Sequence, residues 1–292
     1  MSYSPVQGLP CFSEEEDKIL HLRRWLTGLV LAPVLILVIL KGGYLFFVLV
    51  VLLVAGLGQR EFLRMFLGGG NGHYLKAVIL GSLLIISFCT VPPALALCHP
   101  CGPLVVLVIC LFFLMLYYLV SYGQIPELSR DLAVHALGLL YIPLLLGHLV
   151  WLRFLPHGEW WVLWLLTVVF TGDTAAFYTG LNLGRKKLCP EISPGKTREG
   201  TIGGLAGALL AGTVAGRWLL PEVKIWSLAA LALVLGVIGV LGDLFESMLK
   251  RQARVKDAGD LLPGHGGMLD RLDSLLFAAP AVVYARLFLL QL

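Results

Sequence analysis

IWSLAALALVLGVIGVLGDLFESMLK, residues 225–250, decides the fold. From Ile225 to Gly242 it carries no charge. As a helix rising 1.5 Å per residue, that run is about 27 Å long, close to the ~30 Å of a bilayer's hydrocarbon core. Asp243, Glu246, Ser247 and Lys250 follow at i, i+3, i+4 and i+7. A helix continuing out of the membrane carries all four on one face. The segment therefore reads as a membrane span whose end bears polar chemistry.

The rest of the chain follows the same pattern. Of 292 residues, 58% are hydrophobic and 14% charged, and the mean hydropathy is +0.88. Soluble domains run about 45–50% apolar and about 25% charged. A soluble fold of this size could not cover so much apolar surface. Disorder needs a more polar chain, and the 33 glycines follow no fixed period that would mark a fibrous repeat. Apolar runs predict spans at 24–41, 43–59, 77–97, 103–121, 132–152, 160–180, 201–220, 225–245 and 273–291. The expected fold is all-α, a polytopic integral membrane protein of about nine transmembrane helices. The first span is long, lacks a convincing small-residue cleavage site and is followed by a second span, so it does not read as a signal peptide.

Three regions follow: an N-terminal segment 1–23, N-terminal spans over 24–152, and a C-terminal region 160–292 with connections at 181–200 and 246–272. Seventeen of the 22 Lys and Arg fall in 1–24 and in the connections after spans two, four, six and eight. The positive-inside rule puts these in the cytoplasm, and the C-terminus outside. The expected location is the cell inner membrane, multi-pass. Arg286, inside the last span, is expected to snorkel outward.

Six cysteines include a lone C-x-x-C, Cys98 and Cys101, open to a redox or disulfide role or to none; no Cys/His set has zinc spacing. In span seven, Gly203, Gly207, Ala211 and Ala215 repeat every four residues, as do Gly204, Ala208, Gly212 and Gly216. Such stripes let backbones approach closely, within the chain or across a dimer.

An ionisable residue inside a span is a functional hypothesis by default. Asp173, in TGDTAAFYTG, sits about seven residues from the cytoplasmic end of its predicted span, roughly 10 Å deep; pairing with a neighbouring helix is the structural alternative. SPGKTREG, residues 193–200, places Ser193, Lys196, Thr197 and Arg198 before a predicted helix start, which suits a phosphate. Gly195-Lys196-Thr197 is not a P-loop, because position 190 is Pro where Walker A needs Gly and no strand is predicted before it. The third cluster is DLFESMLKRQARVKDAGDLLPGHGGMLDRLD, residues 243–273. Carboxylates at two helix ends, with Asp270 and Asp273 at i, i+3, flank a glycine-rich loop and a run of basic residues. That composition fits a metal–polyphosphate site, since Mg²⁺ takes one or two carboxylates plus substrate phosphates. The charge count puts all three clusters on one side, pointing to a membrane-embedded enzyme that uses a cytosolic polyphosphate and a lipid.

The run Ser247-x2-Lys250-Arg251-x4-Lys256-Asp257-x-Gly259-x2-Leu262-Pro263-x-His265-Gly266-Gly267-Met268-x-Asp270-Arg271-Leu272-Asp273 resembles the signature of the phosphatidate cytidylyltransferases. The likeness extends to Asp173 and to Ser193-Pro194-x-Lys196-Thr197-x-Glu199-Gly200, and departs at Gly195, where the family often has a second Lys. The resemblance implies conversion of CTP and phosphatidate to CDP-diacylglycerol and diphosphate with Mg²⁺ and a possible second cation. It also implies a cytoplasm-facing cavity open to the bilayer and, as often in the family, a homodimer, with no nucleic-acid partner. By this likeness Asp173, Asp243, Lys250 and Asp270 are catalytic, and Asp243, Asp270 and Asp273 hold metal. Ser193, Lys196, Thr197, Arg198, Ser247, Arg251, Lys256, His265, Gly266, Gly267 and Arg271 bind substrate. Two rivals are a CTP-dependent kinase of a polyprenol or other lipid alcohol, and a transporter or structural membrane protein, which would show inverted repeats with broken helices in both halves.

Overall fold

The computed structural model describes residues 33–68, 71–90, 102–259 and 266–290. Within these the chain is a bundle of helices: α1 (33–41), α2 (Gly43–Leu67), α3 (Asn71–Thr90), α4 (Pro103–Val120), α5 (Leu128–Tyr141), α6 (Pro143–Phe154), α7 (Gly158–Leu183), α8 (Arg198–Leu219), α9 (Ile225–Gln252) and α10 (Asp273–Tyr284). Eight segments are long and apolar enough to cross a membrane, α5 and α6 together forming one of them. The expected span 24–41 is described only from residue 33. Segment 1–23, Cys98, Cys101 and His265 lie outside the described residues.

Helices suit these sequences because in lipid every backbone N–H and C=O must be satisfied within the segment. Leu45, Phe112, Leu119 and Trp226 point outward from the bundle, as lipid-facing residues do. Trp161, Trp164, Phe62 and Tyr118 fill its centre. The fifth span breaks at Ile142, because Pro143 has no N–H to continue the ladder. The break turns Tyr141 inward against Phe245 and Phe277.

Several helices outrun their expected limits. α2 continues from the expected 59 to Leu67 and α9 from 245 to Gln252, so the expected loop 246–272 begins as helix. α7 ends at Leu183, which puts Asp173 ten residues, about 15 Å, from that end, deeper than its apolar run suggested. Among the described residues the departure from an all-helical chain is an antiparallel hairpin, β1 (Lys187–Cys189) and β2 (Ser193–Thr197), with Lys187 opposite Thr197 and Cys189 opposite Ser193. SPGKT thus lies on a strand that runs straight into α8.

The small-residue stripes of α8 pack within the chain. A methyl group added at Gly204 would meet Ala176 Cβ at 2.8 Å and the Gly172 carbonyl at 3.0 Å. At Gly212 it would meet Ala232 Cβ at 2.5 Å and Val168 at 2.8 Å, and Trp164 Nε1–H donates to the Gly212 carbonyl at 2.7 Å. α7 and α8 therefore approach backbone to backbone, and α9 packs on α8 through the small side chain of Ala232. Gly212→Leu is expected to cost about 1–3 kcal/mol or more by overpacking, read as a lower midpoint of thermal unfolding in detergent. Ile202→Ala, on the outward face of the same helix, should leave the midpoint nearly unchanged.

Candidate active site

The close approach of α7 to α8 opens, at one end of the bundle, into a cavity of about 530 Å³ between α7, the hairpin, α8 and α9. Its polar lining is Asp173, Lys187, Lys196, Thr197, Thr201 and Asp243; Phe177 and Leu181 form an apolar flank and point outward from the bundle. Lys196, from β2, forms an ion pair with Asp243, from α9. Asp173 faces the same space and accepts a hydrogen bond from the Ser274 hydroxyl at 3.3 Å. Asp243 and Lys196 act on it electrostatically, as does Arg271.

SPGKTREG divides into two jobs. Lys196 faces the cavity. Thr197 caps α8, its Oγ1 accepting from the Gly200 N–H at 3.1 Å. Glu199, in the first turn of α8, accepts from the Arg185 and Lys186 N–H groups at 3.0 and 3.1 Å and holds the hairpin's entry against the helix. The exposed Arg198 donates its backbone N–H to the Lys186 carbonyl at 2.8 Å. Ser193 stands at the hairpin register and is not among the cavity's lining residues. Across from the hairpin, Arg251 donates from Nε to the Ile192 carbonyl at 3.1 Å, tying the end of α9 to the turn. Lys256 stands exposed in the stretch that follows.

Below the cavity a second network forms. Lys250 donates to Glu246 at 3.0 Å and to Asp270 Oδ1 at 2.6 Å. Asp270, in a single 3-10 turn (Leu269–Arg271), also accepts at Oδ2 from the N–H groups of Ala258 (3.0 Å) and Gly267 (2.8 Å). Both its oxygens are therefore committed to positioning Lys250 and the two ends of the signature loop. Gly266, at φ 78°, makes the turn that brings this backbone over the carboxylate. The helical spacing thus joins Asp243, Glu246, Ser247 and Lys250 as expected, with Ser247 Oγ donating to Asp243 Oδ1 at 3.4 Å. Asp270 and Asp273 part company: Asp273 begins α10 and accepts from the Ser274 N–H at 2.7 Å.

Glu61, from the N-terminal half, has no counterpart in the sequence expectations. It is buried on α2, and its carboxylate accepts from the Met268 N–H at 2.9 Å and the Leu269 N–H at 2.8 Å. It also packs so tightly on Gly259 and Gly267 that a methyl group on either would lie 2.6 Å from it. The signal was an acidic residue within an apolar run, Gln59-Arg60-Glu61-Phe62, just past the expected end of the span. Glu61→Ala is expected to lower kcat/KM for CTP by about 10-fold or more, because two buried N–H groups lose their acceptor. Glu61→Gln, which keeps one acceptor oxygen, should lose less; equal kinetics in all three proteins would dismiss the contact.

No three Asp, Glu, His or Cys side chains converge into a metal-binding group among the described residues. Asp173, Asp243 and Glu246 nevertheless lie near enough to Asp273 to repel it, and the Glu246 Oε1 and Tyr141 hydroxyl atoms are buried without a hydrogen-bond partner in the described structure. Such a donor set fits a cation in the mode Mg²⁺ prefers, with few carboxylates and the remaining positions left for phosphates and water.

A membrane bundle whose apolar-flanked cavity is lined by basic side chains and carboxylates, beside a second charged network built on a glycine turn, defines a class: a polytopic membrane enzyme suited to polyphosphate and lipid. Residues 22–289 match the cytidylyltransferase family, and the chain belongs to that family. It is 36% identical over 283 residues to the phosphatidate cytidylyltransferase of Synechocystis sp., covering 87% of this chain and 92% of that one. It is 33% identical over 268 residues to the phosphatidate cytidylyltransferase of Bacillus subtilis (90% and 96% of the two chains), and 32% identical over 257 residues to that of Staphylococcus epidermidis (88% and 95%).

Proposed function

We propose that the cavity beside Lys196 and Asp243 is where CTP and phosphatidate meet. The chain is a nucleotidyltransferase of phospholipid biosynthesis, converting these substrates to CDP-diacylglycerol and diphosphate. The observation that supports this use of the site is its pairing of a charged wall, Lys187, Lys196, Asp173 and Asp243, with the apolar Phe177 and Leu181. A lipid phosphate fits the first and its acyl chains the second.

In the reaction a phosphatidate oxygen bonds to the α-phosphorus of CTP and the bond to diphosphate breaks. The nucleophile is already an anion, so no general base is required. The barrier is repulsion between anions, and positioned cations lower it. Lys196 and Lys187 would meet the phosphates at the cavity wall. Lys250, Arg251 and Arg271 would add positive charge from α9 and the 3-10 turn, with Gly266 and Gly267 letting the loop close on Asp270 and Glu61. Asp243 and Asp273 would hold Mg²⁺, which when bound supplies charge neutralisation and alignment of the phosphates. Asp270, expected as a third ligand, would contribute first by fixing Lys250 and the loop. Asp173, hydrogen-bonded to Ser274, would order a cation or water.

Two experiments bear on this reading. Incubating the purified protein with phosphatidate, Mg²⁺ and CTP labelled at the α- or the γ-phosphorus should place only the α-label in lipid. Transfer of the γ-label to a lipid alcohol would instead establish the kinase. For sidedness, the hairpin turn and the α8–α9 connection lie at opposite ends of α8. With the site facing the cytoplasm of the inner membrane, an impermeant maleimide applied to intact cells should label Lys224→Cys and spare Glu191→Cys. The opposite pattern would reverse the orientation.

A further inference from the structure

At the end of the bundle remote from the active site lies a second cavity, of about 420 Å³, where the α6–α7 turn, the α8–α9 connection and the helical segment Ala285–Leu290 that follows α10 meet. Arg286 lines it. Its side chain does not snorkel as the sequence suggested: the residue is 2% exposed, with its guanidinium 5.0 Å from the Trp161 ring centroid. Nη2 donates to the Pro156 carbonyl, while Nε and Nη1 are buried without an acceptor in the described structure. A buried cation without a counter-ion is expensive, the more so in a membrane-spanning helix.

The one carboxylate in the lining, Glu222, is exposed and forms no ion pair with Arg286 among the described residues. Arg153 and Glu159 neutralise each other at 3.0 Å. In the last turn of α8, the α8–α9 connection and the helical segment Ala285–Leu290, Arg217, Lys224 and Arg286 are then set against Glu222 alone. Trp160 and Trp218 share the lining, and Trp is the residue that settles at headgroup depth. His157, in the left-handed region at φ 55°, shapes the adjoining turn.

We propose that this cavity binds a phosphate-bearing anion through Arg286, and that the anion is the headgroup of a lipid in the leaflet opposite the active site. A guanidinium–phosphate pair supplies the acceptors that Nε and Nη1 lack, and the tryptophans flank the glycerol region of the same molecule. Free phosphate shares the recognition chemistry but makes no use of the apolar lining. The inference is independent of the chemistry at the other end of the bundle.

The test is thermal unfolding of the delipidated full chain in neutral detergent, titrated with phosphatidylglycerol, phosphatidylcholine or inorganic phosphate. Phosphatidylglycerol should raise the midpoint saturably by about 3 °C or more, and phosphatidylcholine by much less. Arg286→Gln should abolish most of the rise while turnover of CTP and phosphatidate stays within about twofold of the unaltered chain. Val223→Trp, which fills the cavity and leaves Arg286 in place, should do the same and decides the matter if Arg286→Gln fails to fold. An undiminished rise in the variant that folds would overturn the site. A full rise with inorganic phosphate would keep the anion site and overturn the lipid as its occupant.

Discussion

Asp243→Asn is expected to lower turnover of CTP and phosphatidate on the order of 10³-fold, the scale on which a lost charged group in a pre-organised site acts. The substitution is nearly isosteric, so α9 and its packing should survive. What goes is a negative charge with two uses. Asp243 holds Lys196 in an ion pair at the cavity wall, and it stands with Asp173 and Asp273 in the cluster that would attract Mg²⁺. Raising Mg²⁺ should recover part of the loss, because a weakened site is refilled by mass action. Steady-state kinetics at graded Mg²⁺ read both effects. Near-native turnover at ordinary Mg²⁺ would remove Asp243 from the machinery.

The second large effect is on stability. Lys250→Met should destabilise the protein by about 3–5 kcal/mol, the cost of leaving buried carboxylates without their cation. Glu246 is 0% exposed, and Lys250 is the partner of one of its oxygens and of Asp270 as well. Adding Glu246→Gln to Lys250→Met should restore part of the stability, since the double variant buries one charge fewer. Asp270→Asn alone can keep an oxygen for both the Ala258 and the Gly267 N–H groups, which share Oδ2, but turns its amide N–H2 to Lys250 and weakens that hold. Its fall in turnover, about 10²-fold, should resist added Mg²⁺ if Asp270 positions Lys250, and yield to it if Asp270 ligates metal. Denaturation midpoints and Mg²⁺ titrations of the same proteins separate the two roles.

What could be read from the chain followed its local periods. Apolar runs marked the spans, and the i, i+3, i+4, i+7 spacing put Asp243, Glu246, Ser247 and Lys250 on one face of α9, where Ser247 meets Asp243 and Lys250 meets Glu246. Spacing alone failed where backbone leaves the helix. Asp270 and Asp273 share a face only if one helix contains both, and the 3-10 turn ending at Arg271 separates them. The hairpin was illegible because its strands are three and five residues long and are ordered by Glu199 and Arg251 from outside. Glu61 escaped because its partners lie more than two hundred positions along the chain. Arg286 read as a snorkelling residue because its distance from the span's end says nothing about the turn at Pro156 that draws it inward.

The site's location is open to one direct measurement. Gly195 lines the cavity, and a methyl group there would meet nothing within 4 Å, so a cysteine fits without disturbance. In a chain otherwise free of cysteine, the rate at which maleimide modifies Gly195→Cys is measured with and without CTP and Mg²⁺, with Lys224→Cys, at the other end of α8, as the control. If the nucleotide occupies this cavity, modification at position 195 slows by at least about fivefold, as it must when an occupied site excludes the reagent, while position 224 reacts unchanged. An unchanged rate at 195 under saturating CTP and Mg²⁺ would contradict the account and move the nucleotide elsewhere.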